Sequence, residues 1–183
     1  MNKPALKEKL SIGHPAPYFS LKATDSKIYS LAEFDEAKVL VIIFTANHCP
    51  YAQAYEQRIC SLAELYQAKG VQFLSICSND PKGYPEDSYE NMRAKSKLLG
   101  FPFPYLHDET QVTARAYDAV CTPECFVFDA KRKLRYRGRV DDNHRDPTLV
   151  AHHDLADAIE ALLQGEEVNE PLTSALGCSI KWK

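Results

Sequence analysis

Phe44-Thr45-Ala46-Asn47-His48-Cys49-Pro50-Tyr51-Ala52 is the stretch on which the reading of this chain turns. Ahead of it runs Val39-Leu40-Val41-Ile42-Ile43, a branched apolar segment that reads as a buried strand. Behind it, Ala52, Tyr55, Ile59, Leu62, Ala63 and Tyr66 fall at helical spacing. Cys49 therefore stands where a strand hands over to a helix, with Pro50 at the first helical position. The free amides and dipole of a helix N-terminus favour negative charge, so a thiol placed there ionises more readily than one in water. The thiolate is the species that attacks disulfides and peroxides. A buried structural cysteine is the competing reading. The strand-Cys-Pro-helix context favours the reactive one.

Working outward, the chain of 183 residues is long enough to bury a core, and its 45% hydrophobic and 26% charged content is ordinary for a globular protein. We expect one domain over 1–183, with a polar lead-in at 1–14 and a C-terminal tail at 166–183. A formal net charge of −3 points to no nucleic-acid or acidic-membrane partner. The first residues carry no apolar core of a secretory signal, and the longest aliphatic run is too short to cross a bilayer. The expectation is a cytoplasmic protein whose six cysteines are mostly reduced at rest. No Cys-x-x-Cys pair is present and His48-Cys49 has no matching pair, so no metal and no cofactor are expected.

Tyr18–Leu21 and Lys27–Leu31 flank Thr24-Asp25-Ser26, the pattern of a short hairpin, and Leu31–Phe34 reads as one helical turn. The helix from Pro50 should stop near Lys69-Gly70, followed by a strand at Val71–Cys77, which makes a right-handed parallel unit. Ser78–Pro85 is a loop at a strand's C-terminal end, where an open α/β sheet places its crevice. Asn79 and Asp80 there are either substrate contacts or turn formers. A helix over Ser88–Leu99, capped by Asp87 or Ser88 and closed by Gly100, leads to an extended piece at Phe103–Leu106 and a short helix at Thr110–Tyr117. Cys121-Thr122-Pro123 then precedes a strand at Glu124–Asp129. Lys133, Arg135, Arg137 and Arg139 alternate with Leu134 and Tyr136, one cationic strand face that reads as a solvated edge rather than a nucleic-acid patch. The last helix is expected over Thr148–Leu163, with Leu149 and a packed His152 on its apolar face. Ile180 and Trp182 indicate a tail that docks.

The Asn47-His48-Cys49-Pro50-Tyr51 loop resembles the active-site loop of thioredoxin-fold proteins, in which a strand ends in Cys-x-x-Cys opening a long helix. Ser78-Asn79-Asp80, Tyr84–Ser88, Tyr105–Glu109, Cys121-Thr122-Pro123, Tyr136–Asp142 and Gly177–Lys183 extend a resemblance to a bacterial group of thioredoxin-like redoxins of the alkyl hydroperoxide reductase/thiol-specific antioxidant type. The resemblance implies an α/β thioredoxin fold: a central mixed β-sheet flanked by helices, with an N-terminal hairpin extension. It implies that Cys49 is the attacking thiol and that Ala52 replaces the usual second cysteine. It also implies that Pro123 is cis, with its loop facing Cys49, so that the backbone before Pro123 offers an open edge to an extended substrate segment.

The chemistry expected is thiol-disulfide exchange through one nucleophile, with protein or low-molecular-weight thiols and disulfides as partners. Cys121 and Cys178 are the internal candidates for the second thiol, and an outside thiol is the alternative. Cys121 is taken with Cys49 as catalytic, and Cys178 as a candidate resolving thiol. His48, Pro50, Tyr51, Thr122 and Pro123 are candidate substrate contacts, and a protonated His48 would lower the pKa of Cys49. Cys60, Cys77 and Cys125 read as structural. Peroxide reduction is a second reading. Peroxiredoxins carry Pro seven residues and Thr or Ser three residues before their cysteine; this chain has Ile42 and Ala46 there, and Thr45 is one residue off. Arg137 or Arg139 could supply positive charge. A third reading is a binding module or redox sensor that has lost turnover. The sequence leaves the oligomeric state open.

Overall fold

All six residues of Val39–Phe44 are buried, so this strand is covered on both faces. In the computed structural model, which describes residues 9–183, it lies within a seven-stranded sheet. Part of the expected lead-in, residues 1–8, falls outside the described residues. In chain order the elements are β1 (Ser20–Ala23), β2 (Ile28–Ser30), β3 (Val39–Phe44), α1 (Pro50–Gln67), β4 (Val71–Cys77), α2 (Tyr89–Leu99), β5 (Tyr105–His107), α3 (Val112–Ala116), β6 (Cys121–Thr122), β7 (Glu124–Phe128), β8 (Leu134–Gly138), α4 (Asp154–Gln164) and β9 (Cys178–Ser179). The large sheet has the order β2-β1-β5-β4-β3-β7-β8, while β6 pairs with β9 alone. β3 is parallel to β4 and antiparallel to β7, and β4 is parallel to β5. The β1–β2 hairpin joins the sheet through β5. This is the thioredoxin-like arrangement, a mixed sheet flanked by helices with a hairpin added at its N-terminal end.

Alternation along β3 sends successive side chains to opposite faces. Leu40, Ile42 and Phe44 pack with Phe19, Phe34, Tyr117, Phe126 and Phe128. Val39, Val41 and Ile43 meet α1 and α4 through Tyr55, Ile59, Ala63, Leu155 and Ile159. Each such side chain stabilises the fold by roughly 1.5–3 kcal/mol on burial, so β3 is the fixed floor of the molecule. Gly70 and Gly100 end α1 and α2 with φ of +87° and +61°, conformations that L side chains avoid. Among the described residues no helix is long and apolar enough to cross a membrane.

Three expectations need correction. The last helix starts at Asp154, not Thr148. Pro147–Leu149 form a separate 3-10 turn capped by Asp146, and Asp142 then holds the next stretch extended by accepting from Ala151 N at 3.0 Å and donating its own N–H to His152 O at 3.2 Å. His152 is consequently exposed rather than packed, and Leu149 is exposed as well. The helix expected from Thr110 is the shorter α3, because Gln111 turns left-handed with φ of +63°. The basic face of β8 is only partly solvated: Lys133, Arg135, Arg137 and Arg139 are half-buried, and the three arginines pair at 2.7 Å with Asp129, Glu124 and Asp154 respectively.

The tail docks, as Ile180 and Trp182 indicated. It first lies along β8, where Arg137 N donates to Pro171 O at 2.9 Å and Thr173 N to Arg137 O at 3.1 Å. It then crosses to β6, where Cys178 stands opposite Thr122 and Ser179 opposite Cys121. Beyond that, Ile180 is buried in the core below the sheet.

The loop after β4 and the start of α3 are joined by Asp108. Its buried carboxylate accepts from Ser78 Oγ at 2.9 Å, Ala114 N at 2.9 Å and Thr113 N at 3.3 Å. Asp108→Ala leaves these donors without their acceptor, and we expect it to lower unfolding free energy by about 1–3 kcal/mol. Urea unfolding should show the midpoint falling at constant slope. An unchanged midpoint would mean that water replaces the carboxylate without loss.

Candidate active site

Cys49 is the N-cap of α1, with extended backbone (φ −76°, ψ 116°) and Pro50 in the first turn. The loop that carries it is fixed from three sides. Asn47 N donates to Asp87 Oδ1 at 2.6 Å, Asn47 Oδ1 accepts from Tyr105 OH at 3.0 Å, and Asn47 O accepts from Gln53 Nε2 at 2.6 Å. The Cys49 side chain is fully buried, packed with Ala46, Ala52, Tyr51 and Cys178. Its thiol donates to Thr122 O at 3.0 Å, and Ala52 N approaches the sulfur at 3.5 Å. The Thr122–Pro123 peptide bond is cis, in line with the resemblance.

Burial opposes ionisation of Cys49. It is outweighed by hydrogen bonds from the side chains of Cys178 and Thr122 and from the amides of Ala52 and Cys178, which hold the thiol below its ordinary value. The other five cysteines move the opposite way. Burial pushes Cys77 and Cys121 up to about 12, Cys60 and Cys178 to about 11, and raises Cys125 as well. Cys49 is therefore the one thiol of the six whose surroundings shift it toward the thiolate. Cys60, Cys77 and Cys125 sit in α1, β4 and β7, buried as the sequence indicated.

Of the two candidate partners, the structure places Cys178 against Cys49. Cys121 lies near, but its thiol turns to Ala175 O at 3.9 Å. Thr122 and Pro123 are buried beside Cys49, Tyr51 is half-buried with its ring 4.8 Å from that of His144, and Pro50 is exposed. The edge before Pro123 is not open, contrary to expectation. The chain's own β9 occupies it. Arg137 and Arg139 are not aimed at Cys49. Arg137 also donates to Asp118 O at 2.6 Å, and Arg139 faces α4 through Asp154.

His48 faces away from a free role. Its Nδ1 lies 2.5 Å from Asp87 Oδ2, and its ring packs on Tyr84 with centroids 4.3 Å apart. Asp87, read from sequence only as a possible helix cap, is fully buried and is the residue that sequence reasoning missed. The cap is Ser88. Asp87 also accepts from His48 N at 3.2 Å and from Asn79 Nδ2 at 2.8 Å, and Asn79 Oδ1 in turn accepts from Lys181 N at 2.8 Å. Asn79 thus ties the tail to the loop that carries Cys49. The signal for Asp87 was its place in Tyr84–Ser88, one of the segments on which the resemblance was drawn, although nothing local marked it as buried.

Comparison with known proteins agrees with this fold. A conserved protein of Geobacillus kaustophilus described as uncharacterized is 41% identical, and its crystal structure superposes with a TM-score of 0.90 over 100% of this chain and 98% of that one. A peroxidoxin of Mycobacterium tuberculosis, 16% identical, shares the fold with a TM-score of 0.66 over 85% of this chain and 97% of its own. A chloroplastic peroxiredoxin Q of Gentiana triflora is 28% identical over 101 residues, 55% of this chain and 43% of that protein, so the match spans less than half of that relative. The AhpC/TSA family model matches residues 12–137, which include β3, Cys49 and the cis-Pro123 loop, and the chain belongs to the AhpC/TSA family.

Proposed function

We propose that this chain is a thiol-dependent oxidoreductase in which Cys49 attacks a disulfide and Cys178 resolves the product. One observation carries this reading: with Ala52 in the usual place of the second cysteine, Cys178 packs directly on Cys49. The Cys49 thiolate attacks one sulfur of R–S–S–R′, forming Cys49–S–S–R and releasing R′–S⁻. The Cys178 thiol then attacks Cys49 Sγ, gives up its proton, and releases R–SH. The Cys49–Cys178 disulfide that remains holds the two electrons' worth of oxidation until an outside thiol reduces it. Exposed Pro50 and half-buried His48 and Tyr51 form the rim that the substrate meets, Thr122 and Pro123 back Cys49 from the buried side, and Cys121 supports the seat of the tail. Partners on this reading are thiols and disulfides, in the cytoplasm.

Peroxide reduction is the second reading, favoured by the AhpC/TSA match and by the peroxiredoxin Q relative. It would use the same pair: a hydroperoxide converts the Cys49 thiolate to a sulfenic acid with release of an alcohol, and Cys178 displaces water to give the same disulfide. Ala46 provides no hydroxyl to orient a peroxide, and both arginines are engaged elsewhere. Disulfide exchange therefore ranks first. The depressed Cys49 thiol weighs against a pure binding module.

Mild oxidation with one equivalent of diamide, followed by non-reducing digestion and mass spectrometry, tests the pair. The expected product is a Cys49–Cys178 peptide. A dominant Cys49–Cys121 peptide would move the resolving role to Cys121, and no internal disulfide would make Cys49 depend on an outside thiol.

Ala52→Cys supplies a competing resolver. Ala52 is buried against Cys49 one helical turn on, so the introduced thiol should divert much of the oxidation from Cys178. In this background, Cys178→Ser should slow turnover of a model disulfide by less than about threefold, whereas in the parent it should slow it about tenfold or more. Equal losses in both backgrounds would show that Cys178 does something other than resolve.

A further inference from the structure

The strand edge at Thr122 has an occupant that belongs to the chain itself. β9 pairs antiparallel with β6, and Gly177 lies so close that a Cβ there would stand 2.1 Å from Thr122 O. No side chain fits at 177 unless the tail moves. The occupant is clamped on both sides. Upstream, the side chain of Thr173 accepts from Arg139 N at 3.1 Å and lies 2.7 Å from Tyr136 OH, and a Cβ on Gly138 would collide with it. Downstream, Ile180 N donates to Val120 O at 3.2 Å, and Lys181 O accepts from Asp80 N and Gln111 Nε2, each at 2.8 Å. Lys183 N donates to Gln111 Oε1 at 2.9 Å, and the Trp182 ring stacks on Arg115 at 4.3 Å.

A polypeptide disulfide reaches a buried cysteine beside a cis-proline by lending its backbone to the adjacent edge, which gives affinity through main-chain hydrogen bonds. Here that backbone already pairs with Cys178, and Cys49 has no exposed surface. A small disulfide or hydroperoxide needs no ladder. We propose that residues 177–181 are a built-in occupant of the Thr122 edge, by which β9 and Gly177 exclude polypeptide disulfides from Cys49 and restrict it to small-molecule oxidants. The restriction works by steric exclusion of the larger class rather than by added contacts to the smaller one. It rests on the reading of Cys49 as the attacking thiol. For a small disulfide the balance is closed within the pair: Cys49–S⁻ and RSSR give Cys49–S–S–R and RS⁻, and Cys178–SH then yields the internal disulfide and RSH.

Two readouts on the full-length reduced protein test this, with Gly177→Val to push the tail off and Ile180→Ser to loosen its buried anchor. The first is the labelling rate of Cys49, followed by peptide mapping, with N-ethylmaleimide and with a polyethylene-glycol maleimide, normalised to glutathione. In the wild type the small reagent should be favoured about tenfold or more over its preference for glutathione, and either variant should bring this to within about threefold. The second is the ratio of insulin reduction to reduction of bis(2-hydroxyethyl) disulfide, which should rise about tenfold or more in the variants. No size preference at Cys49 in the wild type, or a preference unchanged in both variants, overturns the exclusion. A size preference that behaves as expected, with neither disulfide turned over, would support the exclusion and sink the oxidoreductase reading instead.

Discussion

The pairing of Thr122 with Cys178 decides what Cys49 meets. β3 and α1 alone would leave a thiol at a helix N-terminus facing the cis-Pro123 loop, with Ala52 where a second thiol commonly stands. The return of the tail places another sulfur on that thiol from a distance of well over a hundred residues in sequence. Cys178 then acts on Cys49 in two ways. Its S–H and N–H favour the anion at Cys49, and on the proposed reading its sulfur displaces whatever Cys49 has bonded to. Helix-dipole stabilisation is modest by itself, typically about 0.3–1 kcal/mol, and burial works against it. Directed hydrogen bonds to the sulfur are what tip the balance toward the thiolate.

That placement depends on a polar network beneath the loop. An isolated buried carboxylate such as Asp87 is expensive, and it persists here because the amides of Asn47 and His48, the His48 ring and the Asn79 amide all point at it. Asn79 passes the constraint on, since its other end holds Lys181 in the tail. The loop bearing Cys49 and the segment bearing Cys178 are therefore positioned against the same buried charge. A shift of one is felt by the other through two hydrogen bonds, without any direct contact between His48 and the tail being required.

The core of this fold was legible in the sequence because its signals are local. Val39–Phe44 and Val71–Cys77 are short, mostly apolar runs and the helix from Pro50 has apolar residues at helical spacing, and their observed bounds differ from expectation by a residue or two. Local propensity misled at Thr148–His153, where apolar spacing continued but Asp142, distant from any helix pattern, bonded the backbone in an extended form. Cys49 was legible from the strand-Cys-Pro-helix junction. The thiol beside it was legible only as one of two candidates: Cys121, two residues from Pro123, was the first choice and Cys178 its rival, and Cys178 comes close through the docked tail. Asp87 was hidden for a related reason, since whether a carboxylate caps a helix in water or anchors a loop in the interior depends on what else folds over it. Tail pairing also reversed one inference, as the edge expected to receive substrate was already filled.

The most direct measurement is the ultraviolet absorbance of thiolate against pH, in the wild type and in Cys178→Ala, with Cys49→Ser as the blank. Stabilisation by Cys178 predicts one thiolate that forms below the ordinary thiol range of about 8.5 in the wild type, disappears in Cys49→Ser, and shifts to higher pH in Cys178→Ala. The sign follows from the loss of the Cys178 side-chain hydrogen bond to the anion, with the amide of residue 178 retained, while burial, which favours the neutral thiol, persists. A Cys49 that ionises as an ordinary thiol, or at the same pH with and without the Cys178 side chain, would contradict the pairing on which the proposed chemistry rests.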